Sequence, residues 1–75
     1  MKHQLFVSIV NAIEMASLNE GRFGIHIPKQ KTVRYYVSAD ADKVVLYDGK
    51  EIAATFAAKK LFTLIAEMIY QYIIY

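Results

Sequence analysis

The last fifteen residues of the chain, LFTLIAEMIYQYIIY, contain only three side chains with a clear preference for water, Thr63, Glu67 and Gln71. Together with Lys59 they recur at every fourth position, which predicts one narrow polar stripe on a helix. With Lys60 beside it, this stripe covers about 120° of the helix circumference and leaves about 240° apolar. A helix that rests on one sheet needs an apolar stripe of only ~100° or somewhat more. The fold must therefore offer this helix a further apolar neighbour.

A first helix is predicted over residues 4–19, where the apolar side chains at positions 5, 9, 12, 13 and 16 form one face. Gly21 ends it, since glycine readily takes the left-handed conformation that closes a helix. Val7, Met15 and Leu18 fall outside that face, so this helix also has surplus apolar surface. Two arrangements could cover this surplus apolar surface, and the sequence favours them equally. Either the two helices pack against each other, or their free faces are buried against a second copy of the chain.

The middle of the chain changes to a period of two, which indicates half-buried strands. Apolar and polar side chains alternate from Thr32, residues 38–42 form a turn, and KVVLY resumes strand character before Asp48-Gly49. That dipeptide is typical of a tight hairpin turn and predicts a third strand over residues 51–55. The alanine-rich stretch EIAATFAAKK also permits the alternative that the last helix opens here.

These elements predict an α+β fold in one domain of residues 1–75, with the order αβββα. A three-stranded antiparallel sheet would carry both helices on one face, with the last helix beginning at about Phe56. The stretch of residues 22–31 contains Gly24 and Pro28, two residues that interrupt regular structure, and is interpreted as a connector or a short edge strand.

The chain has 75 residues and no cysteine, so it has neither disulfides nor a thiolate metal site to stabilise it. A chain this short buries only roughly 60% of the surface of its unfolded form. Dense packing or association with a second copy must supply further apolar contact. Absence of cysteine fits a reducing, cytoplasmic compartment. Because the C-terminal apolar run is shorter than ~20 residues and contains Glu67, no membrane partner is expected.

No set of side chains predicts catalysis, a cofactor or a metal. A nucleophile needs a base beside it, and the chain has only two histidines, one of them close to the N-terminus. Asp40, Asp42 and Asp48 lie in predicted turns, where aspartate side chains accept hydrogen bonds from nearby backbone. The Asp-Ala-Asp sequence lacks the glycine and the later glutamate of a calcium loop. The sequence therefore favours a binding protein over an enzyme.

One segment is distinctly basic. Residues 21–39 contain four of the nine cations and none of the seven acids, although the whole chain carries a formal charge of only +2. Basic groups set among aromatic rings can bind nucleic acid or an acidic protein partner, or they can form a solvated surface without a partner. The pattern favours these three possibilities equally. Two further cations near the start of the last helix could hold an anion there. The predicted anion or nucleic-acid contacts are Arg22, His26, Lys29, Lys31, Arg34, Tyr36, Lys59 and Lys60.

The order αβββα, with the paired lysines Lys59 and Lys60 opening the last helix, is similar to the double-stranded-RNA-binding domain. The resemblance implies phosphate contacts from these lysines. That family carries a Gly-Pro-x-His-type loop between its first two strands, whereas this chain has the acidic turn SADAD. The sequence is therefore not assigned to that family.

The predicted function is that of a small, non-enzymatic, cytoplasmic module, a homodimer, that binds and regulates or inhibits a protein partner. Its size and lack of a catalytic set suit the accessory proteins of mobile genetic elements. The alternative function is nucleic-acid binding by the basic and aromatic segment 22–36, with Lys59 and Lys60. Tyrosine and methionine offer large or adaptable contact areas at such interfaces. The predicted self-association or partner contacts are Met15, Leu18, Leu64, Tyr70, Ile74 and Tyr75.

Overall fold

In residues 2–57 and 62–74, which the computed structural model describes, the chain forms two helices and four strands. The elements in chain order are α1 (Lys2–Leu18), β1 (Phe23–Gly24), β2 (Tyr35–Ala39), β3 (Lys43–Asp48), β4 (Glu51–Ala57) and α2 (Phe62–Ile74). The strands form one antiparallel sheet in the order β1-β2-β3-β4. The predicted α+β class is confirmed.

The predicted number of strands is wrong, because residues 23 and 24 form an additional edge strand. Phe23 pairs with Val37 and Gly24 pairs with Tyr36. The ladder continues past β1, since the Ile25 N–H donates to the Tyr35 carbonyl over 2.8 Å. Two residues are too few to show a period, so this strand is specified by its partner β2 and by the burial of Ile25 rather than by local sequence.

The hydrophobic core lies between one face of the sheet and both helices. Alternate strand residues point to this face, namely Tyr35 and Val37 of β2 with Val44 and Leu46 of β3. The helices contribute the buried side chains of Leu5, Ile9, Ala12, Ile13, Ala16, Ile65, Ala66 and Ile69. The two helices also pack against each other. Part of their predicted surplus is therefore covered within one chain.

The strand that follows the hairpin is longer than expected. Residues 51–55 form a strand, as predicted, but β4 continues to Ala57, so the expectation that the last helix begins at about Phe56 is wrong. Phe56 pairs with Val44 and packs against the core. This contact outweighs the helix propensity of the neighbouring alanines, which amounts to only tenths of a kcal/mol per residue. The predicted helical positions 58–61 lie outside the described residues.

Among the described residues, Asp40 is the one of the three predicted turn aspartates whose side chain accepts hydrogen bonds from the backbone. Asp40 Oδ1 accepts hydrogen bonds from the backbone N–H groups of Asp42 (2.8 Å) and Lys43 (2.9 Å). These bonds stabilise the ionised form and lower the pKa of Asp40. At the next turn Gly49 takes a φ of 66°, a conformation that glycine adopts without steric cost. No helix among the described residues is both long and apolar enough to cross a membrane.

Candidate functional site

The second face of the sheet points away from the core that both helices share. Strand alternation and register place on it Gly24, Tyr36, Ser38, Lys43, Val45, Tyr47, Ile52 and Thr55, and Arg22 folds over it from the segment before β1. We call these residues the open face. None of them is acidic. Ile52 is 65% exposed, so a large apolar side chain of the open face is accessible to solvent.

Two tyrosines lie side by side at the centre of the open face. Tyr36 of β2 is directly opposite Tyr47 of β3 in the ladder, so their side chains are cross-strand neighbours. The Tyr47 hydroxyl accepts a hydrogen bond from Ser38 Oγ over 3.1 Å, which fixes the outer end of its ring. The Tyr36 hydroxyl is 3.4 Å from the Val33 carbonyl, a long contact that holds its ring less firmly.

Gly24 allows Tyr36 and Val33 to lie close to the β1 backbone. A Cβ atom at position 24 would stand 2.8 Å from Val33 Cγ1 and 3.6 Å from Tyr36 Cε2. The first distance is shorter than any ordinary contact between carbon atoms. Glycine is thus required at this place by the close approach of two side chains.

Arg22 stacks on Tyr47. Its Cζ atom is 3.9 Å from the centroid of the ring, a cation–π contact that presents the outer surface of the guanidinium to solvent. Residue 22 itself is exposed. A planar, positively charged group is therefore held in a defined place on the open face.

A shallow hollow of about 410 Å³ lies next to Tyr36 and is lined by Arg22, Val33, Arg34, Tyr36, Gly49 and Lys50. We call it the Tyr36 hollow. It has three cationic side chains and no acidic one in its lining. Anions that approach this end of the open face are therefore attracted.

The three cations of the hollow differ in whether a carboxylate pairs with them. Arg34 donates to Asp48 through Nε and Nη2 over 2.9 and 3.0 Å. These bonds raise the pKa of Arg34 and lower that of Asp48. Within the described ranges, Arg22 and Lys50 have no carboxylate within ion-pairing distance. The positive charge of the hollow comes mainly from Arg22 and Lys50, whereas Arg34 is largely neutralised by its partner.

The structure brings three of the sequence-predicted contacts together, because Arg22, Arg34 and Tyr36 all line the Tyr36 hollow. Lys29 and Lys31 lie in the exposed connection between β1 and β2. In that connection the Gln30 N–H donates to the Ile27 carbonyl, and Lys29 takes a φ of 73°. Lys59 and Lys60 lie outside the described residues.

His26 lies elsewhere, in a groove of about 460 Å³ between α1 and β1. The groove is also lined by Gln4, Val7, Ser8, Asn11, Ala12, Met15, Phe23 and Gly24. The predicted contact Met15 is thus beside β1, and it is 47% exposed. The lining of this groove is mostly uncharged, unlike that of the Tyr36 hollow.

The other predicted partner contacts lie on both helices. Leu18 is 80% exposed at the end of α1, and Leu64 and Ile74 are exposed on α2. Tyr70 packs partly against the core, and its hydroxyl is buried without a hydrogen-bond partner among residues 2–57 and 62–74. Tyr75 lies outside the described residues. The apolar contacts are therefore divided between the two helices.

Sequence reasoning missed Tyr47, Lys43 and Lys50, which the structure adds to the surface. The prediction of a strand over KVVLY carries the signal for two of them, because residues two apart in a strand, here Lys43, Val45 and Tyr47, lie on the same face. The described part of the chain contains no group of three or more His, Asp or Glu side chains that could hold a metal ion.

No protein-family model matches the sequence, and no curated protein or solved structure is significantly similar to it. The surfaces of this chain are therefore the basis on which a function is proposed.

Proposed function

We propose that this protein is a small, non-enzymatic binding module whose open face binds single-stranded nucleic acid. The observation that carries the proposal is the cross-strand pair Tyr36 and Tyr47, with Arg22 stacked on the second ring. Aromatic rings and guanidinium planes stack on unpaired bases of any sequence. A sheet surface that offers both, without an acid, fits that class of ligand.

Charge on the open face supports the same ligand. Arg22 and Lys43 on the open face and Lys50 in the adjoining Tyr36 hollow can meet phosphates, and the rest of the chain carries a net charge of −1 within the total of +2. The positive charge is thus concentrated where the rings are. An acidic protein could use the cations, but it would have no bases to stack on the Tyr36 ring and on the Arg22 guanidinium that covers Tyr47.

A single strand is favoured over a duplex by the same geometry. Bases in a duplex are stacked on each other and expose only their edges, so a pair of rings on a sheet cannot reach their faces. Duplex binding would depend on the cations alone. We therefore expect weaker affinity for a duplex than for a single strand of the same length.

Fluorescence anisotropy tests this proposal, with labelled single-stranded and duplex oligonucleotides titrated with the protein at several salt concentrations. Three phosphate contacts predict a slope of log affinity against log salt of about −2 for a single strand. Absence of binding at low salt, or equal affinity for single strand and duplex, would contradict the proposal.

A second candidate is the function expected first from the sequence. In it, a cytoplasmic homodimer of this chain binds and regulates or inhibits a protein partner. The exposed apolar side chains of both helices favour it, above all Leu18, Leu64 and Ile74. If α2 forms a self-association surface, Leu64→Asp together with Ile74→Asp should give a soluble, folded monomer. A double variant that unfolds, or that associates as the wild type does, would count against that surface.

A further inference from the structure

Strand β4 has a free edge. As far as residues 2–57 and 62–74 extend, β4 pairs with β3 on one side only. None of its seven residues is buried, whereas residues 44–46 of the neighbouring β3 all are. Backbone groups along such an edge can receive a further strand.

The register identifies which backbone groups of β4 are free. Lys43 O accepts from the Asp40 N–H, and the Gly49 N–H donates to Arg34 O, so the odd-numbered residues of β3 bond towards β2. The even-numbered residues 44, 46 and 48 therefore bond towards their β4 partners Phe56, Ala54 and Glu51. The N–H and C=O groups of Ile52, Thr55 and Ala57 consequently point to the free edge.

Strand β4 has few of the features by which proteins usually prevent strand pairing, and those lie before Ala54. It contains no proline and no lysine, and its one ionised side chain is Glu51, at its first residue. The register shift near Leu46 and Tyr47 leaves Ala53 without a partner in β3, and regular pairing with β3 runs from Ala54 to Ala57. Residues 54–57 are thus a regular, uncharged edge.

We propose that β4 pairs antiparallel with β4 of a second copy of this chain, which joins two sheets into one. An antiparallel pair of identical strands is symmetric, so the free N–H groups of each copy can donate to the free C=O groups of the other. The two Glu51 carboxylates then lie at opposite ends of the pair and do not repel each other. A chain of 75 residues also gains the additional burial that so small a domain needs.

This dimer would have a defined consequence for the open face. Two identical antiparallel strands in one continuous sheet are related by a two-fold axis perpendicular to the sheet. Rotation about this axis does not turn the sheet over, so equivalent faces of the two copies point in the same direction. Both open faces would lie on the same side, and all four helices on the other. If the open face binds a single strand, as proposed above, the dimer would present two such surfaces next to each other.

Sedimentation equilibrium of the protein alone over a range of micromolar concentrations tests the pairing independently of any nucleic acid. We expect a dimer for the wild type. Thr55→Pro removes an outward N–H without removing a bond to β3, and edge strands tolerate proline at such positions. Because the dimer carries the substitution twice, we expect its Kd to rise roughly tenfold or more. The matched control Thr55→Ala keeps the N–H and should remain dimeric.

A wild type that is monomeric throughout, or a dimer that tolerates Thr55→Pro, would overturn the proposal. Circular dichroism of each variant checks that it is folded. Should Thr55→Pro not fold, amide hydrogen exchange of the wild type decides: the Thr55 and Ala57 amides should become protected as concentration rises. Exchange of these amides that does not depend on concentration would overturn the pairing as well.

Discussion

Arg22 lies over the ring of Tyr47, with its Cζ atom 3.9 Å from the ring centroid, and so joins the segment before β1 to the third strand of the sheet. The contact covers one surface of the guanidinium and leaves the other free. At an exposed site a cation–π contact contributes about 0.5–1 kcal/mol. This favours the stacked position of the arginine by about two- to fivefold, and in that position it serves as a charge and as a flat surface at once.

Substitution of Arg22 should separate these two roles. Arg22→Ala removes one phosphate contact, so the salt slope for single-stranded DNA should become less steep by about 0.7. Arg22→Lys keeps the charge but not the plane, so it should keep the slope and still lose affinity. Anisotropy titrations over a salt series measure both quantities. If lysine restores full affinity, Arg22 acts only as a charge.

Tyr36 should contribute affinity that does not depend on salt. Tyr36→Ala removes a stacking ring, for which we expect a loss of about 1–3 kcal/mol of binding free energy per base, with an unchanged salt slope. The matched control is Tyr72→Ala on α2. Tyr72 contacts Tyr35 edge to face with ring centroids 6.2 Å apart, on the helical side of the sheet, so its loss should weaken stability but not binding. Equal loss of affinity in both variants would show that the effect is structural.

The sequence predicted the helices and the β2–β3–β4 meander because each has a period or a turn signal of its own. It left residues 22–31 open between a connector and a short edge strand, since the pairing of Phe23 and Gly24 depends on a strand more than ten residues away. It predicted Arg22, Arg34 and Tyr36 as contacts from charge and aromatic content. It could not show that Asp48 neutralises Arg34, because that ion pair joins the residue before β2 to the last residue of β3.

Gly24 should not tolerate a side chain. In Gly24→Ala the new methyl group would meet Val33 Cγ1, and valine has little rotamer freedom with which to move away. We expect the free energy of unfolding to fall by about 1–3 kcal/mol. Val33 is 40% exposed, so Val33→Ala should be nearly neutral, and the double variant should recover most of the loss. Urea unfolding of the wild type, the two single variants and the double variant measures the free energies of this double-mutant cycle. Additive losses of stability would show that residues 24 and 33 are not in contact.

Lys29 should be replaceable by glycine with a gain in stability. It occupies the third position of the turn of residues 27–30 with a φ of 73°, which side chains disfavour and glycine does not. Lys29→Gly should raise the free energy of unfolding by about 0.5–1 kcal/mol. The control is Lys31→Gly in the same connection, where no positive φ occurs. There the added backbone freedom of the unfolded chain should lower stability instead.

Stability should decrease in acid through Asp40 and Asp48. Backbone N–H groups lower the pKa of Asp40, and the hydrogen bonds from Arg34 lower that of Asp48. The unfolded chain therefore takes up these protons first, near the ordinary aspartate value of about 4. The contribution of both groups is complete above that pH and is lost as the pH falls below it through the lowered folded-state pKa values. Urea unfolding between about pH 2 and pH 7 measures this loss.

Variants assign the acid sensitivity to the two carboxylates. Asp48→Asn removes the ion pair and should make stability less dependent on pH below about 4, while lowering it at neutral pH. Asp42→Asn is the control, since the Asp42 carboxylate accepts no hydrogen bond from the described residues and only its backbone N–H is engaged. Its acid-induced loss should match that of the wild type. If Asp48→Asn also matches the wild type, the bond between Arg34 and Asp48 does not persist in solution.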